Sequence, residues 1–551
     1  MKSLEFLANR FISSARFWHA PLIILCTKCT DLQLCVALSD GDFDTGYPSN
    51  SQTRREAEQG MGKNICAHRR ANKNKRKTMP VSSPAACKVA LNTSIGLMLL
   101  TAHGVQTVQA QGFIEDAQAN LRLRNLYYDN DFRSGHGAGG SRMTEWGQGF
   151  MLNAQSGFTE GTVGFGTDLL AFEGLKLDSG GKAGDINSSR QPALLFPRES
   201  DESSVDDFSW AYLSPKIRYS KTEVRYGAHL PRMPILQAST GSIAPQLFEG
   251  TVITSNEIEG LSLQAGMFDR SKGRASSDGI RMTIDGSSAA RGKFGNAYNR
   301  AVYGSNLPGT PQDSNHFWFF GSEYALNKNI TLRYYYGQLD NFYEQHMIGA
   351  LTKHRIGNGV FTTDLRHYNS SGNGKNSSFA GQKEGYLASG YYGNGVTVGE
   401  VDNRLTSALL SYQIQAHTFG LGYQHTEGQS DFVWPNQGDG SIAPITSDIQ
   451  VNKFARAGER TWQARYGYDF VAAGLPGLNL NLIYLKGSNA RTVQGPKTEQ
   501  VKIVSVNYTI QSGPFKDVSI RFDKGILNSN VPGVRDMTET RLTTEYTIKF
   551  F

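Results

Sequence analysis

The chain has 551 residues, 39% hydrophobic, 19% charged and 11% aromatic, with 60 glycines. Its formal charge of +7 belongs to the start: residues 1–110 hold 14 Lys+Arg against 7 Asp+Glu, leaving 42 of each from residue 111 onward. Bulk charge therefore gives no argument for nucleic-acid binding, and no run of eighteen apolar residues is present to form a transmembrane helix.

Residues 1–78 differ in composition from everything downstream. They carry Cys26, Cys29, Cys35 and Cys66, and the fifth cysteine, Cys87, follows shortly after. They show no strand alternation and are expected to be an upstream extension, either translated sequence that is not part of the mature protein or a disordered segment. Cys26-Thr27-Lys28-Cys29 is a lone CxxC without the second pair that a zinc site needs. Residues 79–110 have the pattern of a secretory signal, with Met79 as a plausible start. Basic residues Lys73, Lys75, Arg76, Lys77 and Lys88 precede an apolar core over 89–102, and Val108-Gln109-Ala110 puts small residues before a cleavage expected at Gln111.

From residue 111 the chain is cysteine-free and reads as short alternating strands joined by turns. Gly135-His136-Gly137-Ala138-Gly139-Gly140 spells GxGxxG, but in a Gly/Ser-rich loop without a flanking strand and helix it is not a nucleotide site. Leu478, Leu480 and Leu482 alternate with Asn479 and Asn481. Val504, Val506 and Tyr508 alternate with Ser505, Asn507 and Thr509, and Ile520 and Phe522 flank Arg521. Period-two patterning marks strands with one apolar and one polar face. In an exported chain this suggests an all-β transmembrane barrel with lipid outside and water inside.

Short turns fall near residues 157–160, 220–222, 257–260, 326–329, 357–359, 415–417, 473–477 and 512–515. Longer Gly-rich stretches centre on Gly137, Gly184, Ser239, Gly292, Asp340, Gly381, Gly438, Gly495 and Val531. Alternating them gives about 18 antiparallel strands, with short periplasmic turns and long extracellular loops.

The phase of the strands places a set of cations in the lumen. Arg122 and Arg124 oppose Leu121 and Leu123; Lys216 and Arg218 oppose Ile217 and Tyr219; Arg225 lies between Val224 and Tyr226. Arg465 opposes Ala464 and Tyr466, and Arg521 opposes Ile520 and Phe522. A cation facing lipid at midplane costs about 2–4 kcal/mol, so the lumen is the credible address. Rings of Arg and Lys select anions, and a guanidinium offers a planar fork to a carboxylate. Asp168, Glu223 and Asp523 are acids able to neutralise parts of this set.

Over residues 112–551 the chain resembles the OprD family of substrate-specific outer-membrane porins of Gram-negative bacteria. The resemblance rests on ordered stations that include Gly112-Phe113-Ile114-Glu115-Asp116, Ser156-Gly157-Phe158-Thr159-Glu160-Gly161, Lys216-Ile217-Arg218-Tyr219-Ser220-Lys221-Thr222, Trp462-Gln463-Ala464-Arg465-Tyr466, Gly474-Leu475-Pro476-Gly477-Leu478 and Gln511-Ser512-Gly513-Pro514-Phe515. It implies a monomeric eighteen-stranded barrel, a basic ladder along the wall and a constriction built by inward-folded loops.

On that pattern the third long loop, near residues 229–250, forms the constriction. Its tip, residues 237–246, is small, polar and flexible, with backbone groups free to bond a solute. Ser239, Ser242, Ile243 and Gln246 are the expected lining, and the seventh loop, ending near Glu459, brings Lys453 to the same eyelet. Members that take basic amino acids are similar in having an Arg in the third loop and an acid in the seventh. Here the neighbourhood of Ile243 and Lys453 stand at those places. This favours small carboxylates, aromatic acids among them, over arginine-like solutes.

The remaining readings are a porin for basic amino acids, a non-selective pore, a structural or adhesion barrel, and a barrel enzyme. The last has little support: His136, His229, His316, His346, His354, His367, His417 and His425 are scattered, and Ser314-Asn315-His316 lacks a recognisable partner. No metal site, cofactor or nucleic acid is expected. The expected partners are small solutes, outer-membrane lipids and the barrel-assembly machinery, which reads the aromatic terminus Phe551.

Overall fold

The computed structural model describes residues 112–133, 141–185, 188–284, 295–304, 312–436 and 442–551. The extension and signal expected over 1–110 and the Gly135–Gly140 motif lie outside these residues. One antiparallel sheet of nineteen strands dominates. One of these is the two-residue segment Gly279–Ile280; the other eighteen close into a barrel.

In chain order the barrel strands are β1 Gln118–Asp131, β2 Arg142–Gln155, β3 Val163–Ser179, β4 Asp207–Tyr219, β5 Thr222–His229 and β6 Leu247–Ser255. They continue as β7 Leu261–Lys272, β8 Phe317–Asn327, β9 Ile330–Leu339, β10 Tyr343–Ile356, β11 Gly359–Gly372 and β12 Asp402–Ile414. The last six are β13 His417–Gly428, β14 Arg460–Asp469, β15 Leu478–Ala490, β16 Lys497–Thr509, β17 Ser519–Ser529 and β18 Met537–Lys549. Each strand pairs with the next, and β18 returns to β1 through Leu121↔Ile548 and Leu123↔Tyr546, so the barrel has no open edge. The pairing continues into the terminus, where the Phe550 N–H donates to Ala119 O at 2.9 Å.

All eight short turns fall where the sequence places them. Ser220 (φ 53°), Gln415 (φ 52°) and Gly357 (φ 58°) open two-residue turns with left-handed backbone. The stretch around Asp340 is a correction. It is a three-residue turn, 340–342, in which Phe342 is fully buried, so Asp340 there signals a tight corner and not a long loop.

Side-chain phase agrees with the alternation. Leu482, Val504, Ile520, Phe522, Leu542 and Tyr546 are exposed on the outer wall, as a lipid-facing surface requires. The lumen is partly filled, because β5 stops after eight residues and pairs with β4 only over Lys216–Tyr219 against Thr222–Arg225. The chain therefore leaves the wall early and turns inward as the third long loop, residues 230–246.

That loop packs on two apolar clusters. Met233, Ile235 and Leu236 bury against Phe317, Phe319, Tyr335, Leu339 and Tyr368 on one side. Ile243 and Ala244 bury against Leu126, Phe172, Phe196, Phe208 and Trp210 on the other. Burying a side chain such as Ile243 stabilises by about 1.5–3 kcal/mol. Gly147 and Gly149 of β2 make the seat: a Cβ on Gly147 would come within 2.7 Å of Ile243 Cδ1 and one on Gly149 within 3.0 Å of Ile243 Cγ1.

Candidate channel and constriction

The third loop crosses the lumen and is held at its tip by the wall. Arg124 of β1 donates to Thr240 O at 2.8 Å, to Ser242 O and to Glu545, while Arg541 of β18 donates to Gly241 O at 3.1 Å. Tyr368 of β11 donates to Pro234 O at 3.0 Å and to Pro444 O of the seventh loop at 3.1 Å. An antiparallel bridge between Gln237 and Ile442 joins the two loops. The tip expected to be flexible is thus pinned, and three of its carbonyls already accept from arginines. Its small, polar residues allow close packing and do not here mean mobility.

Between these loops and the wall lies a cavity of about 500 Å³. Ser239, Ser242 and Lys453 line it, together with Arg274, Trp434, Asp448, Glu539 and Arg541. Ile243 and Gln246 do not. Ile243 is turned into the apolar cluster, and Gln246, fully buried, donates to Ser271 Oγ at 3.1 Å and accepts from Ser239 N at 3.3 Å. These two residues build the loop and do not line its opening, which corrects the sequence expectation.

Lys453 Nζ sits 4.2 Å from the centre of the Trp434 ring, a cation–π contact. Burial pushes the Asp448 carboxyl up to about 6, against the pull of Lys453, the Ala443 N–H and Arg274. Four bases (Arg274, Lys453, Arg456, Arg541) face four acids (Asp431, Asp448, Glu499, Glu539) around the cavity. Each acid is engaged. Glu539 pairs with Arg541 at 2.7 Å and Glu499 lies 3.7 Å from Arg456; Asp431 accepts from Ala457 N at 2.9 Å and Asp448 from Ala443 N at 2.7 Å.

The basic ladder separates into two groups. Lys216 (2.8 Å) and Arg225 (3.1 Å) share Asp168, Arg521 grips both oxygens of Asp523 at 2.8 and 2.9 Å, and Arg124 pairs with Glu545. The other group makes no ion pair among the described residues, although Arg218 is directly opposite Glu223. Arg218 stacks 4.2 Å from the Phe158 ring, and Arg122 reaches Met151 Sδ at 3.7 Å. Arg465 donates to Thr446 O at 2.6 Å and Gln463 Oε1 at 2.7 Å, and its Nε is buried without a hydrogen-bond partner. Arg465 also borders a second hollow of about 430 Å³ with Ser411, Thr418, Asn479 and Asn481.

Five lumen arginines escaped the sequence reading. Arg333 and Arg366 converge on Asp364, Arg541 alternates with Leu542 and was open to the same phase argument, and Arg274 and Arg456 lie in loops without periodicity. Among the described residues no group of His, Cys, Asp and Glu is arranged to hold a metal ion.

A closed eighteen-stranded barrel with an apolar outer wall, a cation-lined lumen and a constriction of two in-folded loops defines an outer-membrane porin. The family model for "outer membrane porin, OprD family" matches residues 111–550, so the chain belongs to the OprD family, a family of Gram-negative outer-membrane porins and not of enzymes. It is 31% identical over 441 residues to the porin-like protein GalP of Pseudomonas putida, covering 79% of this chain and 93% of that one. It is 30% identical over 463 residues to porin D of Pseudomonas aeruginosa, covering 80% and 92%. Among solved structures, OccK8 (OprE) of Pseudomonas aeruginosa superposes with a TM-score of 0.70 at 42% identity, covering 80% of this chain and all of that one. OpdK from the same organism, solved with vanillate, gives 0.67 at 31% identity with the same coverage.

Proposed function

We propose that this porin passes small organic carboxylates, aromatic acids among them. The observation that carries the reading is Arg465, a lumen guanidinium that two neutral oxygens orient and no carboxylate neutralises. Arg218, stacked on the Phe158 ring, and Arg122, against Met151 Sδ, make no ion pair among the described residues and extend the path along the wall. A charged donor with planar geometry attracts a carboxylate and can release it to the next rung. The engagement of all four acids at the cavity argues against a site for arginine-like cations. The vanillate held by OpdK, a relative at 31% identity, is consistent with aromatic acids.

The test is single-channel recording of the full-length protein in a planar bilayer with benzoate or arginine added. Benzoate should produce discrete current blockades that Arg465→Gln shortens. Blockades by arginine that exceed those by benzoate would sink the proposal.

A further inference from the structure

The outer wall carries a second set of cations that conduction does not explain. Arg460 on β14, Lys486 on β15, Lys502 on β16 and Lys524 on β17 all point away from the lumen and are exposed. The register fixes their relation. Arg460 is opposite Ser488, two residues from Lys486; Lys486 is opposite Gln500, two residues from Lys502; Lys502 is opposite Ile526, two residues from Lys524. Each is therefore the diagonal neighbour of the next, with Cβ atoms roughly 7–8 Å apart. The result is one oblique cationic row across four consecutive strands.

The row stands beside the extracellular-side aromatics, since Lys486 is directly opposite Trp462 and Lys502 directly opposite Tyr484. Ser488, Gln500 and Thr540 share the outer face around it. Among the described residues none of the four cations makes an ion pair. The outward Arg142 differs, since it holds Asp129 at 2.6 Å. Across the barrel, β8 to β11 present Trp318, Phe320, Tyr334 and Ile348 outward and no Lys or Arg. A row of unneutralised cations on one sector of a lipid-facing wall costs free energy unless the lipid supplies the counter-charge.

We propose that this sector, β14 to β17, binds the phosphorylated sugar headgroup of an outer-leaflet glycolipid. The lysines and Arg460 hold the phosphates, and the hydroxyl and amide side chains beside them hold the sugar. Ammonium and guanidinium groups form their strongest hydrogen bonds with such anions. The acyl chains would lie on Ala464, Leu482 and Val504 below the row. The inference is independent of which solute the channel carries.

The experiment is native mass spectrometry of the full-length protein in detergent with diphosphorylated lipid A. The wild type should retain the lipid, and the triple variant Lys486→Gln, Lys502→Gln, Lys524→Gln should bind it at least about tenfold more weakly. Replacing the same lysines by Arg should preserve binding, as should Arg142→Gln, and lipid A stripped of both phosphates should bind like a zwitterionic phospholipid. Should the triple variant not fold, Lys502→Gln alone should weaken binding about threefold. Three results would overturn the proposal: undiminished binding by the Gln variants, full displacement by millimolar inorganic phosphate, or a wild-type oligomer that the Gln variants dissociate with no change in lipid retention.

Discussion

Gln237 and Ile442 pair across the lumen, one from each in-folded loop, and make the constriction a single bridged unit. Bridged residues in an antiparallel pair lie at Cα separations of roughly 4.5–5.5 Å, within disulfide reach. The barrel has no cysteine of its own from residue 111 onward. Gln237→Cys with Ile442→Cys should therefore form one intramolecular disulfide. If the loops stay joined during conduction, the oxidised double variant conducts like the wild type before and after reduction. A channel silenced by oxidation and restored by reductant would show that the loops separate to conduct.

The division of the ladder gives an ordering of charge removals. Arg465 lacks an acid, whereas Arg521 holds Asp523 through both oxygens. Removing Arg465 takes away an unshielded lumen charge, while removing Arg521 leaves Asp523 as well. In a salt gradient, Arg465→Gln should lower the anion-to-cation permeability ratio about twofold or more, and the paired change Arg521→Gln with Asp523→Asn should leave it close to wild type. Reversal potentials decide the order; equal effects would mean that Asp523 does not screen its partner.

Much of the barrel was legible because a strand needs information only from its own residues. The alternation of Leu478, Leu480 and Leu482 or of Val504 and Val506 fixes which face meets lipid, and hence that Arg465 and Arg521 face water. Pairing across strands is different. That Arg333 and Arg366 share Asp364, or that Glu545 holds Arg124, depends on register between strands, which no local pattern encodes. The third loop failed for the same reason. Its small residues look mobile locally, yet Ile243 is fixed by Phe172 and by Gly147 and Gly149, far away in sequence.

Ile243 then becomes a test of what holds the constriction. It is 1% exposed, and its truncation leaves a cavity over Gly147 and Gly149. Ile243→Ala should weaken the loop's seat by about 2–5 kcal/mol. Because the strands pair independently of the loop, the barrel should still show its folded mobility in gels run without heating. Open-channel noise should rise and mean conductance should increase. Unchanged noise would assign the hold to Arg124 and Arg541 instead.

Asp448 gives the constriction a pH dependence. Burial outweighs the attraction of Lys453, Arg274 and the Ala443 N–H, so the carboxyl titrates at about 6, above its ordinary 3.8. A carboxyl with a raised pKa disfavours the seated loop once ionised. Between about pH 4 and 6 the seated loop binds more protons than a released one, so its stability falls as pH rises through that window and stays lower above it. On going from pH 7 to pH 5 the cavity loses one negative charge beside Lys453 and Arg274. Anion selectivity should therefore increase and loop noise decrease over that step. Asp448→Asn should show the low-pH behaviour at both values. Reversal potentials and current noise at the two pH values check this; a wild-type step that survives in Asp448→Asn would place the titrating group elsewhere.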